Sequence, residues 1–162
     1  MLLYRIADKT YSHDLSGRGA QLYGGRWNPA GIFAIYAATS ISLATLEKLV
    51  HVGSMNALPD SPWLDLITYH LPDDLPIEVV EAESLPADWI SYPPSPITID
   101  VGQDWAAREE SVGLVVPSVL FPEAPEKNVL LNPRHPEFPQ VAIHDISPFP
   151  KDTRLQKYFV AE

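Results

Sequence analysis

Apolar positions fall into one long helical stretch and several short extended runs. Between Ile41 and Val52 there is neither proline nor glycine, and Leu43, Leu46, Leu49 and Val50 recur at helical spacing. This predicts an amphipathic helix, N-capped by Thr39 or Ser40 and closed near Gly53. Leu2 to Ile6, Phe33 to Ala37, Trp63 to Leu71 (with Ile67, Tyr69 and Leu71 alternating) and Ile77 to Val80 read as strands. Leu114 to Val116, Lys127 to Leu131 and Gln140 to Ile146 read as further strands, and Gln103 to Val112 as a second helix. Residues 11–31 carry five of the eight glycines and read as a loop. Leu85 to Pro96 holds four prolines and reads as a surface excursion. Short strands with two separated helices give an α+β class.

Composition adds limits to this picture. The chain has 162 residues, 46% of them apolar, which is enough for one ordinary core. The net charge of −10 argues against a broad nucleic-acid surface. The absence of cysteine excludes thiolate chemistry and disulfides. No stretch approaches the ~18 apolar residues of a membrane span, and no leader pattern opens the chain, so a soluble cytoplasmic protein is expected. The charge is uneven. Residues 1–58 hold five basic and three acidic side chains, net +2, whereas residues 59–162 hold six against 18, net −12. Sixteen of the 17 prolines also lie in the second part. With no Gly/Ser linker between the parts, one domain over residues 1–162 is expected. Its small-ligand site would come largely from the first third, and the acidic remainder maintains solubility or recruits a basic partner.

Candidate chemistry concentrates in a few places. In Gly24-Gly25-Arg26-Trp27-Asn28, two glycines bare the backbone before a guanidinium whose paired donors fit phosphate oxygens. Trp27 and Asn28 would offer a flat surface and an amide to a ring or ribose. The alternative is a turn with a surface arginine and a core tryptophan. The glycines match neither a Walker loop nor the dinucleotide fingerprint. Glu47 stands alone as a carboxylate between Asp14 and Asp60, with His51 four residues on along the same helix face. It either faces solvent or aims into a cleft. Ser118 follows a buried strand, and Asn128 is either a site or a turn residue. His13, His51, His70, His135 and His144 form no metal-ligand spacing, so no metal is expected.

Taken in order, Tyr4-Arg5-Ile6, Gly24-Gly25-Arg26-Trp27-Asn28, Tyr36-Ala37-Ala38, Leu43-Ala44-Thr45-Leu46-Glu47, Val116-Pro117-Ser118, Asn128…Asn132-Pro133 and Asp152-Thr153-Arg154 closely resemble the RES-domain family, named for its Arg, Glu and Ser. The resemblance spans residue 2 to about residue 154. It implies an ADP-ribosyltransferase-like α+β fold with a split central sheet around an NAD cleft. It also implies the toxin of a RES–Xre toxin–antitoxin pair, held by a helix-turn-helix antitoxin of the Xre type that would supply any DNA contact. The implied activity is NAD⁺ consumption by phosphorolysis or hydrolysis, or ADP-ribosyl transfer to a protein. Carried over by position, the family's Arg falls on Arg26, its Tyr on Tyr36, its Glu on Glu47 and its Ser on Ser118, with Arg5 and His51 at further site positions. The expected roles follow the chemistry. Glu47 opposes the charge of a ribosyl cation, and Arg26 holds the pyrophosphate with Arg5 as second cation. Tyr36 packs on or bonds the nicotinamide ribose, and Ser118 bonds the nicotinamide end or a phosphate.

Overall fold

The computed structural model describes residues 1–54 and 64–149. Trp63, at the edge of one expected strand, and the Asp152-Thr153-Arg154 motif lie outside the described residues. Seven strands form one mixed sheet: β1 (Leu2–Asp8), β2 (Ile35–Ala38), β3 (Leu64–His70), β4 (Ile77–Val79), β5 (Gly113–Val116), β6 (Asn128–Leu131) and β7 (Ala142–Pro148). Their spatial order is β4-β5-β6-β2-β1-β3-β7, antiparallel except for the β4–β5 pair. The α+β class thus holds.

The sheet is nearly divided at its centre. β1 pairs with β3 along seven positions, and β2 pairs with β6 along four. β1 and β2 meet in one register pair, Tyr4 with Ala38. The expected split is therefore a ladder that stops after one step. Across it, Leu3, Ala7, Ile67 and Tyr69 from one half and Ile35, Ala37, Val129 and Leu131 from the other share a single buried cluster on one face. On the opposite face the core is in two parts. Ile6, Ala38, Leu43, Ala44, Leu64 and Leu66 form one; Trp27, Ala34, Trp89, Trp105, Leu114, Val116 and Leu130 form the other.

Among the described residues, three α-helices accompany the sheet: α1 (Arg18–Tyr23), α2 (Ile41–Ser54) and α3 (Pro96–Arg108). α2 is the expected helix. Ser40 caps it, its Oγ accepting from the Leu43 N–H at 3.1 Å, and Leu43 and Ala44 bury one face. The helix runs through Gly53 to Ser54 rather than closing at the glycine. Two expectations are corrected. Residues 18–23, inside the glycine-rich segment, form α1: Gly17 and Gly24 stand at its two ends, both at positive φ, and Gly19 falls within its first turn. The second helix begins seven residues before Gln103 and ends at Arg108. Pro96 occupies its first turn, where a missing N–H costs nothing, and Glu109 turns the chain out at φ 50°. Val112 lies beyond it in the core.

Candidate active site

Glu47 is the centre of the constellation. It lies one turn beyond Leu43 and Ala44 on α2, at the flank of the buried helix face, and is half-buried itself. Its Oε1 accepts from Ser118 Oγ at 2.8 Å and from Asn128 Nδ2 at 2.6 Å. The register explains the convergence. Val116 on β5 faces Asn128 on β6, so the chain leaving β5 through Pro117 puts Ser118 beside the first residue of β6. Ser118 is 1% exposed, and its oxygen also accepts from the Leu120 N–H at 3.1 Å. Its one proton is thus committed to Glu47, which makes the hydroxyl a positioning group for the carboxylate. Oε2 of Glu47 accepts no hydrogen bond among the described residues. A carboxylate anchored through one oxygen by two donors presents the other in a fixed direction.

Arg26 lies within electrostatic reach of Glu47. Gly24 and Gly25 make the turn that delivers it: Gly24 has φ 69°, and a Cβ on Gly25 would stand 2.6 Å from the Tyr36 hydroxyl. The Gly25 N–H closes the turn on Asn28 O at 2.8 Å. The guanidinium is then clamped. Nη1 donates to Trp89 O at 2.9 Å and Ser91 O at 3.0 Å, which consumes both of its protons and leaves Nε and Nη2 for other acceptors. Burial lowers the Arg26 pKa, against the opposing influence of Glu47 and then Tyr36. No ion pair closes between Arg26 and Glu47 among the described residues, so the two charges attract across a gap.

The clamp comes from the proline-rich segment read as a surface excursion. Most of the segment is exposed, as expected, but it is anchored: its Trp89 is buried and stands 6.2 Å from the Trp27 ring, centroid to centroid. The ligand roles of Trp27 and Asn28 are corrected. Trp27 is 2% exposed and lies in the core, so its ring offers no open face to a ligand. Asn28 is 1% exposed. Its amide donates to the carbonyls of Ala20, Pro29 and Ile32, and its Oδ1 accepts from Tyr36. Both residues build the turn that carries Arg26. The Tyr36 hydroxyl is likewise engaged, donating to Asn28 Oδ1 at 2.7 Å and accepting from Trp27 N–H at 3.1 Å.

Burial pushes the Tyr36 phenol well above its ordinary 10.0, against the influence of the Trp27 N–H and Arg26. A raised value in the folded state means stability that is complete below pH 10.0 and is lost as pH climbs beyond it. Tyr36→Phe leaves the Trp27 N–H without its partner, at a cost of ~1–3 kcal/mol. Urea unfolding near neutral pH should show that loss, and the gap to wild type should narrow at strongly alkaline pH. A constant gap would place the shift elsewhere.

The remaining predicted residues sit apart from this constellation. Arg5 on β1 is half-buried and donates from Nη1 to the Tyr69 hydroxyl over a long 3.4 Å. His51 is exposed on α2, its Nδ1 2.8 Å from the Glu47 backbone carbonyl, which fixes that nitrogen as the donor. Two features escaped the sequence reading. Gly102 on α3 lets that helix lie against the Trp27 backbone, where any Cβ would overlap the Trp27 carbonyl. Lys48, half-buried next to Glu47, is within electrostatic reach of Arg5 and Asp8. Among the described residues no cluster of His, Asp and Glu has the makings of a metal site, and no helix is long and apolar enough to cross a membrane.

A family model described as the RES domain matches residues 2–153. The chain belongs to the RES-domain family. Among relatives of this RES protein, "Toxin Res" of Photorhabdus laumondii is 43% identical over 139 residues, covering 85% of each chain. The "Prs ADP-ribosylating toxin" of a Sphingobium species is 38% identical over 157 residues, covering 94% of each. In fold, the chain is similar to a chain of the Mycobacterium tuberculosis MbcT–MbcA toxin–antitoxin complex. The TM-score is 0.72 at 20% identity, over 98% of this chain and 88% of the other. That likeness supports the RES fold, including the seven-stranded mixed sheet.

Proposed function

We propose that this RES protein is the toxin of a toxin–antitoxin pair and that it consumes NAD⁺ by breaking the nicotinamide–ribosyl bond. The observation that carries the chemistry is the Glu47 carboxylate, fixed through one oxygen by Ser118 and Asn128 and within electrostatic reach of the clamped Arg26. Cleavage moves the C–N electron pair onto nicotinamide, which leaves neutral, and the ribosyl carbon gains oxocarbenium character. Oε2 of Glu47 opposes that charge and grips a ribose hydroxyl. Free Nε and Nη2 of Arg26 take diphosphate oxygens. No strong general acid is required, which agrees with a site built on one carboxylate. An acceptor then attacks the ribosyl carbon: phosphate, giving ADP-ribose-1″-phosphate, or water, giving ADP-ribose. NAD⁺ depletion would arrest growth. The antitoxin, a helix-turn-helix protein of the Xre type, would cover the cleft and carry the DNA contact.

A second reading, mono-ADP-ribosylation of a protein, is favoured by the similarity to the Sphingobium Prs ADP-ribosylating toxin. A non-catalytic NAD- or ADP-ribose-binding module is the third. One experiment separates them. Purified protein is incubated with NAD⁺, with and without phosphate, and then with cell lysate and labelled NAD⁺. Nicotinamide release from the purified mixture is expected, with the phosphate dependence naming the acceptor. Label on a lysate protein without release in its absence would transfer the assignment to the second reading. Binding without release under any condition would leave the third.

A further inference from the structure

The reaction proposed above uses Glu47 and Arg26 and leaves the adenosine half of the dinucleotide without a holder. The surface at Arg26 carries a feature that packing does not explain. Among the described residues, the two most exposed aromatic rings are Tyr23, 83% exposed, and Tyr92, 80% exposed. They belong to the two chain segments that meet at Arg26. Tyr92 follows Ser91, whose carbonyl accepts from Arg26 Nη1 at 3.0 Å. A carbonyl oxygen stands ~2.8 Å from the next Cα across a trans peptide, so the Tyr92 Cα lies within ~6 Å of that nitrogen. Tyr23 ends α1 three residues before Arg26, at the entry to the turn made by Gly24 and Gly25.

Neither of these rings makes a hydrogen bond or an aromatic contact among the described residues. The other aromatics around the turn are already engaged: Trp27 and Trp89 lie in the core, and the Tyr36 hydroxyl is bonded on both sides. The backbone beneath the two exposed rings is held in place. The buried Trp89 and the Arg26 clamp anchor the segment that carries Tyr92. Ala20 O accepts from the Gly24 N–H at 2.8 Å and from Asn28 Nδ2 at 3.0 Å, which fixes the end of α1 under Tyr23. A tyrosine presents flat π-faces at little conformational cost, so a ring on fixed backbone is a ready platform for a planar base.

We propose that Tyr92 and Tyr23 form the base subsite of the cleft and stack the adenine ring of a nucleotide whose diphosphate is held by Arg26. The inference rests on the NAD⁺ reading for the order of groups along the ligand. In the dinucleotide the diphosphate joins the reacting ribose to the adenosine. With that ribose at Glu47 and the diphosphate on Arg26, the adenosine continues past the guanidinium, into the reach of the two rings. Stacking of this kind is made equally in the ground state and the transition state, so it sets affinity and not the rate of bond breaking.

Calorimetry on the full chain tests the subsite. Wild type, Tyr92→Ala, Tyr23→Ala and the two phenylalanine variants are titrated with ADP-ribose, AMP and inorganic pyrophosphate, which carries no base. Each alanine variant should bind ADP-ribose and AMP ~5- to 150-fold more weakly, the range for removing one stacking ring, and bind pyrophosphate as wild type does. Tyr92→Phe and Tyr23→Phe, which keep the ring, should keep the affinity. In nicotinamide release, the alanine variants should raise KM for NAD⁺ and leave kcat unchanged. Unchanged ADP-ribose affinity in either alanine variant would overturn the two-ring subsite. So would an equal loss for pyrophosphate, or a fall in kcat at constant KM, since either marks a disturbed Arg26 turn. Should wild type release no nicotinamide, the NAD⁺ reading fails, and the titrations still decide the subsite. ADP-ribose or AMP binding that both alanine variants weaken supports it, and binding of neither by wild type overturns it.

Discussion

Glu47→Gln should lower nicotinamide release by ~10²- to 10³-fold, the effect of removing one positioned electrostatic group, while the fold is retained. The substitution isolates charge from structure. The amide oxygen of glutamine can still accept from Ser118 and Asn128, as Oε1 does now, so α2 keeps its tie to β5 and β6. What vanishes is the negative charge opposite the developing ribosyl cation and the attraction to Arg26. Thermal unfolding and nicotinamide release measured on the same preparation make the comparison. A well-folded Glu47→Gln variant with wild-type release would remove Glu47 from the chemistry. In cells, the same variant should be produced without growth arrest.

Gly102→Ala should be the most damaging small substitution in the described core. A Cβ at that position overlaps the Trp27 carbonyl, which is backbone and cannot rotate away. α3 must move off the turn, and buried Trp105 and Trp27 lose their packing. Overpacking of this kind costs ~1–3 kcal/mol, and a rigid backbone obstacle places it at the upper end. For a chain of this size that lowers the melting temperature by ~2–4 °C per kcal/mol. The damage should reach the site as well, because Trp27 follows Arg26 directly. Calorimetric melting and ADP-ribose affinity should therefore fall together. An unchanged melting temperature would mean that α3 accommodates the methyl group, and the tight approach would carry no energetic weight.

The parts legible in the sequence were those written in contiguous residues. α2 declared itself by spacing and by Ser40, and with it Glu47 on the flank of an apolar face. The glycine pair before Arg26 marked a tight turn, and the alternation around Ile67 and Tyr69 marked β3 as a strand. Arrangements joining distant residues were not legible. Nothing local ties Arg26 to the carbonyls of Trp89 and Ser91, more than sixty residues away. Four prolines suggested exposure for a segment that buries a tryptophan, since proline restricts the backbone without saying which side chains turn inward. Trp27 and Asn28 could be read as ligand surface or as core from type alone, and packing against Gly102 and Ala20 decides for the core. Lys48 was hidden by its neighbours: a lysine beside a glutamate on a helix has the pattern of a solvated face. Its burial comes from how α2 lies on β1.

The interrupted ladder between β1 and β2 bears on how wide an opening this fold can offer. Paired strands stand at a fixed separation of ~4.8 Å, imposed by hydrogen-bond length, and no evolutionary change of side chain alters it. Once pairing stops at Tyr4 and Ala38, that constraint lapses. The separation is then set from behind by the apolar spacers Leu3, Ala7, Ile35 and Ala37, whose bulk can be tuned a methyl group at a time. Under the proposed reaction, changes of hydrocarbon on the far side of the sheet would refit the site to a different acceptor with no charged residue altered.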